Sequence, residues 1–597
     1  MSESISNERL SKRNLWGYSM GGIGRDMAYQ LVNTYLLTFI TFTKGLSNTE
    51  FAMVGVIMVI CRIFDGCNDP FMGSIIEITR TKIGKFKPWI LAGVFTNVAV
   101  IIALFCVPLR GTSYLIFFAF GYLLWGMTYT MNDISYWGMM PSLSSNPNDR
   151  NNLATLANIG AGVGAGLSVL AIPSLTQGNL AIAPNASKSY AIVSIIVCIL
   201  FFACQIMTVL VVKEKPLPKV RVDDGEKRSL KEMFRVIFKN DQLKPVMAAM
   251  LLYSIGSGIT MALASYWIYY RFAYQGLLVT LFTVISGIST VVIVFFPILC
   301  KKHSRRWISK LSMIMIIVGY LLMFIISLAT GADPKADKVG FKVGEVFIPV
   351  TFIFTGLSGA CAFFGQTLFY QVLTISVANT VEYNEYTTGM RDEGVIFACR
   401  PFTTKLGSAA VVGITTLVVL ALGLNPTNKA ISNADYEAGQ LAVQVEQLVK
   451  DETPNFDSLS KEEQTKLIEA KKKSIETENV AKIENIIHTN EDTKVAKWQY
   501  QTMFAFMTLL PLVILLGSFA IYFKKYNISE ERYDEICAEI AKRKLAAEGN
   551  AEVVLDGADA NELENDLASS DAETPDEIFE QEAAADKISE APDEVEK

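Results

Sequence analysis

Apolar runs long enough to cross a bilayer recur twelve times along this chain, and they leave few folds open to it. About 20 apolar residues in helical form span the hydrocarbon layer. Such runs lie near 15–43, 51–77, 88–108, 113–140, 152–174, 189–212, 245–271, 275–299, 307–329, 347–376, 395–424 and 500–523. Lipid offers the backbone no hydrogen-bond partner, so runs of this length are expected as helices that satisfy their own amides. With 51% of 597 residues hydrophobic, the chain reads as an all-α membrane protein with twelve transmembrane helices in two six-helix bundles. The first run lacks a small-residue cleavage site and reads as a retained helix, not a leader.

The basic loops orient the spans. Arg80, Lys82, Lys85 and Lys87 follow the second run, and ten Lys or Arg lie from Lys213 to Lys244. Five more lie from Lys301 to Lys310. All three loops fall on one side, which predicts a multi-pass protein of the cell membrane with both termini cytoplasmic. The expected organisation is an N-terminal bundle at 1–212, a cytoplasmic linker at 213–244 and the first five spans of a second bundle at 245–424. A helical insert outside the cytoplasm (425–499) then precedes span twelve at 500–524, and a tail at 525–597 ends the chain. The insert is rich in Glu, Lys, Ala and Gln with apolar residues at helical spacing, so a helical hairpin or cap is expected. The net charge of −6 belongs to the tail, where residues 551–597 hold 17 acidic residues against 2 lysines. That composition predicts disorder there.

Ionisable residues inside spans are expensive, about 3 kcal/mol each on insertion scales, and mark function. Arg62, Asp65 and Asp69 fall at i, i+3, i+7 in one span, on one helical face. Two carboxylates a turn apart repel unless a cation sits between them. With Asn68 and Thr130 as neutral ligands they offer the hard oxygen donors that sodium prefers, and a proton could take its place. A buried salt-bridge network with Arg62 and Lys405 is the purely structural alternative. The two histidines, His303 and His488, lie outside the spans, so a proton relay would run on carboxylates alone. Arg25, Asp26, Asp133 and Trp137 are further polar or aromatic groups at membrane depth. Asp26 and Asp133 suit paired sugar hydroxyls, and Trp137, with Tyr370, offers a face for a pyranose ring.

The runs RIFDGCNDPFMG, TRTKIGKFKPW, GMTYTMNDISYW, NTVEYNEY and KLGSA resemble, in order, segments of the glycoside–pentoside–hexuronide:cation symporter family of the major facilitator superfamily. The resemblance covers about 1–424 and the last span. It implies a cation site of Asp65, Asn68, Asp69 and Thr130, a sugar site of Arg25, Asp26, Asp133 and Trp137, and Lys405 linking the two. Two sugar-pocket positions depart from the family's best-known member: Asn158 replaces an arginine and Tyr370 a tryptophan. Arg400 stands where that member has a neutral amide. It would bind a hexuronate carboxylate through a bidentate fork, or pair with Glu393. Some members carry a C-terminal domain phosphorylated on histidine; this tail has no histidine, and regulation by that route is not expected.

The expected function is symport of a glycoside with Na+ or H+ into the cell, with no other cofactor, no nucleic-acid partner, and a monomer in the bilayer. Arg62 is expected to hold the empty cation site together, and Lys405 to sense occupancy by competing for the same carboxylates. A lysolipid or organic-anion carrier on the same fold, and a non-transporting sugar sensor, are the alternatives. No histidine cluster, nucleophile elbow or metal-ligand spacing occurs in the spans, so an enzyme is not expected.

Overall fold

Each half of the molecule is built from helices whose ends are set by residues legible in the sequence. The computed structural model describes residues 11–559 except 145–146, 215–234, 236–237, 273, 290–291, 331–338, 344–345 and 391. Most of the expected linker, the first ten residues and the acidic end of the tail lie outside the described residues.

The first half comprises α1 (Lys12–Thr43), α2 (Asn48–Ile78), α3 (Lys87–Cys106), α4 (Gly111–Met139), α5 (Pro147–Thr176) and α6 (Ala186–Val211). Ser47 and Glu50 form a reciprocal capping box that starts α2. Helix α1 packs between α5 and α6, α3 lies against α4 and α6, and α2 rests on α4. The close approach of α5 to α1 needs glycine: a β-carbon at Gly164 would lie 2.1 Å from the Ile23 carbonyl oxygen, and one at Gly160 would lie 2.4 Å from that of Ser19. Small residues four apart let membrane helices meet backbone to backbone. Tyr18, Met72, Ile90, Tyr136, Leu153 and Val209 then gather one apolar core from all six helices.

The second half comprises α7 (Leu243–Arg271), α8 (Gly276–Ile288), α9 (Val292–Lys302), α10 (Arg305–Thr330), α11 (Val350–Thr388), α12 (Glu393–Ala421) and, after the insert, α16 (Lys497–Lys525). Helix α7 packs on α16 and α12, and α10 on α11 and α16. Gly389, at φ 73°, ends α11 in the left-handed conformation. Among the described residues nine helices are long and apolar enough to cross a membrane: α3 to α7, α10 to α12 and α16. Helices α1 and α2 have the length, 32 and 31 residues, but hold intramembrane charges. The run at 275–299 is divided between the shorter α8 and α9.

A small antiparallel hairpin departs from the all-helical expectation. Strand β1 (Gly340–Val343) pairs with β2 (Val346–Pro349) in the register Gly340↔Pro349. It occupies the start of the tenth expected span, where Pro349 caps α11. The insert folds as α13 (Asn425–Val443), α14 (Val445–Glu452) and α15 (Lys461–His488). Ala438, Val445, Val449, Phe456 and Ile475 give it an apolar core of its own. Helix α13 contacts α1 and α6 of the first half. Helix α17 (Glu530–Asp559) runs into a second compact unit that begins at Asp534.

The two halves touch directly on the side where the insert sits. Thr41 bonds Tyr266 at 2.9 Å, Ser174 bonds Thr280 at 2.8 Å, and Gln177 donates to the Tyr274 hydroxyl at 3.0 Å. The Phe42 ring lies among those of Tyr266, Tyr269, Tyr270 and Tyr274. Gly55 of α2 rests on Thr416 of α12, where a β-carbon would come within 2.7 Å.

Candidate functional site

Asp65 and Asp69 on α2 sit one turn apart, so both carboxylates face the same neighbours. Thr130, across on α4, donates to Asp65 at 2.7 Å, and its oxygen lies 3.3 Å from Asp69. A single hydroxyl proton serves both only as a shared or alternating bond. Lys405, from α12 of the other half, places its ammonium 2.9 Å from Asp65 and 2.6 Å from Asp69. Two carboxylates and one ammonium leave one negative charge, the complement of a single monovalent cation. The three side chains are 24%, 31% and 26% exposed, so water reaches the cluster.

Asn68, expected as a cation ligand, and Arg62, expected in support of the site, stand differently. Asn68 is half-buried, and among the described residues its amide makes no bond to either carboxylate. Arg62 does not hold the pair together as the sequence reading has it. It is buried and donates to the Asn33 carbonyl at 3.0 Å and the Tyr122 hydroxyl at 3.2 Å. The reason is geometric: helical side chains lean toward the N-terminus, and Arg62 lies N-terminal to both aspartates, so its long arm moves away from them. The counter-charge is Lys405.

The expected sugar residues meet one turn deeper along α1 and α4. Arg25 is buried and forks onto Asp26, with Nη2 at 2.6 Å and Nε at 3.1 Å from the same oxygen. Its Nη1 lies 3.1 Å from Asp133. The guanidinium also covers the rings of Tyr136 at 4.6 Å and Trp137 at 4.9 Å. Tyr136 is itself fixed by stacking on Tyr18, with centroids 4.5 Å apart, and by exchanging hydroxyl-to-carbonyl bonds with it. Arg25 therefore fixes two carboxylates and an indole in one place. Asp26 and Asp133 keep 20% and 34% exposure, leaving oxygens free to accept from hydroxyl groups.

Tyr370 and Arg400 form a pair in the second half. Arg400 donates to the Tyr370 hydroxyl at 2.7 Å, and Tyr370 stacks on Tyr253 at 5.4 Å. Nothing in the sequence marks Tyr253, which looks like any span aromatic. Asn158 is exposed and bonds back to the Ala154 carbonyl of its own helix. It shares a face of α5 with Gly162 and Gly166, where a β-carbon would meet nothing within 4 Å.

The sequence profile of the family described as MFS/sugar transport protein matches residues 17–442. The chain belongs to that family. This agrees with the glycoside–pentoside–hexuronide motifs above and with the two-bundle membrane fold. Among curated relatives, the raffinose carrier protein of Pediococcus pentosaceus is 26% identical over 437 residues, covering 71% of this chain and 64% of its own length. A lactose permease of Lactobacillus delbrueckii subsp. bulgaricus is 28% identical, covering 68% of this chain and 63% of its own. The chain thus spans just under two thirds of the length of these relatives. The isoprimeverose transporter of Lactiplantibacillus pentosus is 26% identical and 80% covered. Among solved structures, the nucleoside transporter NupG superposes with a TM-score of 0.50 over 86% of this chain and 99% of its own, at 12% identity. That likeness speaks for the fold.

Proposed function

We propose that this protein carries a glycoside into the cell together with Na+ or H+, working as a monomer with both termini in the cytoplasm. The observation that carries the reading is Lys405: a lysine from one half neutralises an aspartate pair on the other. A cation that binds Asp65 and Asp69, with Thr130 as neutral ligand, competes with that ammonium and frees it. Binding at the cation site then alters a bond between the halves, which is what coupling requires of a rocking carrier. Arg25, Asp26, Asp133 and Trp137 supply the sugar's hydroxyl partners and stacking face from the first half. Tyr370 and Arg400 supply the opposing wall, where the guanidinium suits a uronate.

The Thr41, Ser174 and Gln177 contacts join the halves on the insert side, and in the proposed cycle the polar groups would be open to the cytoplasmic side in this state. The raffinose, lactose and isoprimeverose carriers among the relatives support a glycoside as cargo. Counterflow in proteoliposomes with α-galactosides, β-xylosides and glucuronides, with and without sodium, tests this. A cation-stimulated signal for one class is expected. No exchange of any glycoside overturns the reading. Asp69→Cys should abolish the stimulation, and undiminished stimulation removes Asp69 from the cation site.

A further inference from the structure

The insert is tied to the second half at both ends. Helix α12 turns through Gly423, at φ 65°, into α13, and the chain returns from α15 to α16. Tyr270 at the end of α7 reinforces the tie. Its hydroxyl donates to Asn428 at 2.5 Å, and its carbonyl meets His488 Nε2 at 3.0 Å and the Tyr500 hydroxyl at 2.9 Å.

Yet the same insert grips the first half at separate points. Asn425 donates to the Leu46 carbonyl at 3.1 Å and to Asn48 at 2.8 Å. Arg110 donates to the Ser432 hydroxyl at 2.8 Å and to Asn433 at 3.0 Å, with its guanidinium 4.5 Å over the Tyr436 ring. Asp435, only 2% exposed, accepts the backbone N–H groups of Ala186 at 2.5 Å and Ser187 at 3.1 Å, the first amides of α6. Those amides have no partner within their own helix, and a carboxylate there is favoured by the helix dipole. Asn479 of α15 adds a bond to the Pro184 carbonyl at 3.3 Å.

The character of this contact differs from a core. A cavity of about 260 Å³ remains between α13 and the first half, lined by Lys44, Arg110, Asn185 and Asp435 among others. Directional polar bonds surround the gap, each replaceable by water once the surfaces part, and beside them Val480 and Ile483 of α15 lie near Ala181, Ala183 and Pro184. The apolar core of the insert is internal to it.

We infer that the insert 425–499 is a latch that fastens the second half onto the first outside the cytoplasm and must let go for that entrance to open. The inference rests on the alternating-access reading above. It gives a purpose to Asp435, Arg110 and Asn425, none of which serves the cation or sugar groups.

Two measurements in proteoliposomes test it, on a background with the nine native cysteines replaced. The first follows Val59→Cys, a position on the contact between α2 and α12, where the β-carbon of an alanine at Gly413 would lie 3.4 Å from the Val59 side chain. Its labelling by a membrane-impermeant maleimide from outside reports opening of that entrance. Adding Asp435→Ala and Arg110→Ala should raise the labelling rate about tenfold; an unchanged rate overturns the latch. The second uses Asn185→Cys with Gly439→Cys, since a β-carbon at Gly439 would lie 3.3 Å from Asn185 Cγ, close to disulfide range. Oxidation of the pair should stop uptake of the glycoside that gives counterflow, and reductant should restore it. Equal uptake by oxidised and reduced carrier also overturns the latch. If neither form moves any glycoside, the symport reading fails while the labelling rates still decide the latch.

Discussion

The Lys405 ammonium lies 2.6 Å from the Asp69 carboxylate, a bond that closes across 336 residues of chain and joins the two halves near the middle of the molecule. An aspartate pair of this kind is costly in a bilayer, and the lysine offsets the cost only in part. In the proposed symport, the remaining negative charge is what would draw a cation from solution. Because the lysine belongs to the opposite half, its proposed exchange for a mobile ion would alter a bond between the halves.

Lys405→Met removes the competing ammonium and leaves both carboxylates to the incoming cation. The ion should then bind without reporting its arrival to the second half. Concentrative uptake is expected to disappear, while counterflow of the same glycoside persists within about tenfold of wild type. Uptake against a gradient at the wild-type level would contradict the coupling role of this residue.

Thr130→Val keeps the shape of the side chain and deletes the hydroxyl bonded to Asp65. Hydrogen bonds to charged groups contribute roughly 1.5–3 kcal/mol. The concentration of coupling cation giving half-maximal uptake should rise about tenfold or more, with maximal rate little changed. Titrating initial uptake rate against sodium at fixed pH, and against pH without sodium, reads this directly.

Gly164→Ala tests the α1–α5 seam, since the added carbon would lie 2.1 Å from a backbone oxygen that cannot swing aside. Overpacking of this kind costs about 1–3 kcal/mol. The purified protein in detergent should unfold at lower temperature. Gly162→Ala, at a position with open space, should leave the midpoint near that of wild type.

Burial pushes the Asp435 carboxyl up to about 6, against the lowering pull of the Ala186 and Ser187 amides, Arg110 and Asn185. Lys44 and Tyr274 also face it. Once released into water the group returns to about 4. The latched state therefore holds the proton more tightly, and its advantage grows as external pH falls from about 6 toward 4. Outside labelling of Val59→Cys, normalised to an exposed control thiol, should slow about tenfold between pH 7.5 and pH 5. Asp435→Asn should flatten that dependence. A slope that survives the change assigns it elsewhere, His488 at Tyr270 being the nearest alternative.

Much of this was legible before any coordinates. Long apolar runs announce spans because bilayer thickness is fixed, and a carboxylate inside one announces function because it is costly there. That logic singles out Asp26, Asp65, Asp69 and Asp133, and the structure sets Lys405 against two of them, Asp65 and Asp69. The logic did not foresee Tyr122 and Asn33 as the partners of Arg62, because helical spacing gives the face of a residue but not the direction in which a long side chain reaches. Asn68 shares the helix and makes no described bond to the pair. The helical nature of the insert followed from its Ala, Glu and Lys content. Its docking did not. Arg110 and Ser432 stand 322 residues apart, and each resembles an ordinary surface residue until the fold brings them together.

The interruption between α12 and α16 also sets an order of manufacture. Helix α16 packs against both α7 and α10, so it is the last stave of the second barrel-like bundle. It emerges from the ribosome only after all of α13, α14 and α15 has been synthesised. Until then the groove between α7 and α10 stands open to lipid, and the second half is held together by its other helices alone. The first half, complete at Val211, has no such wait. Assembly of this protein is therefore staggered: one half closes early, and the other closes on a helix that arrives about 75 residues late.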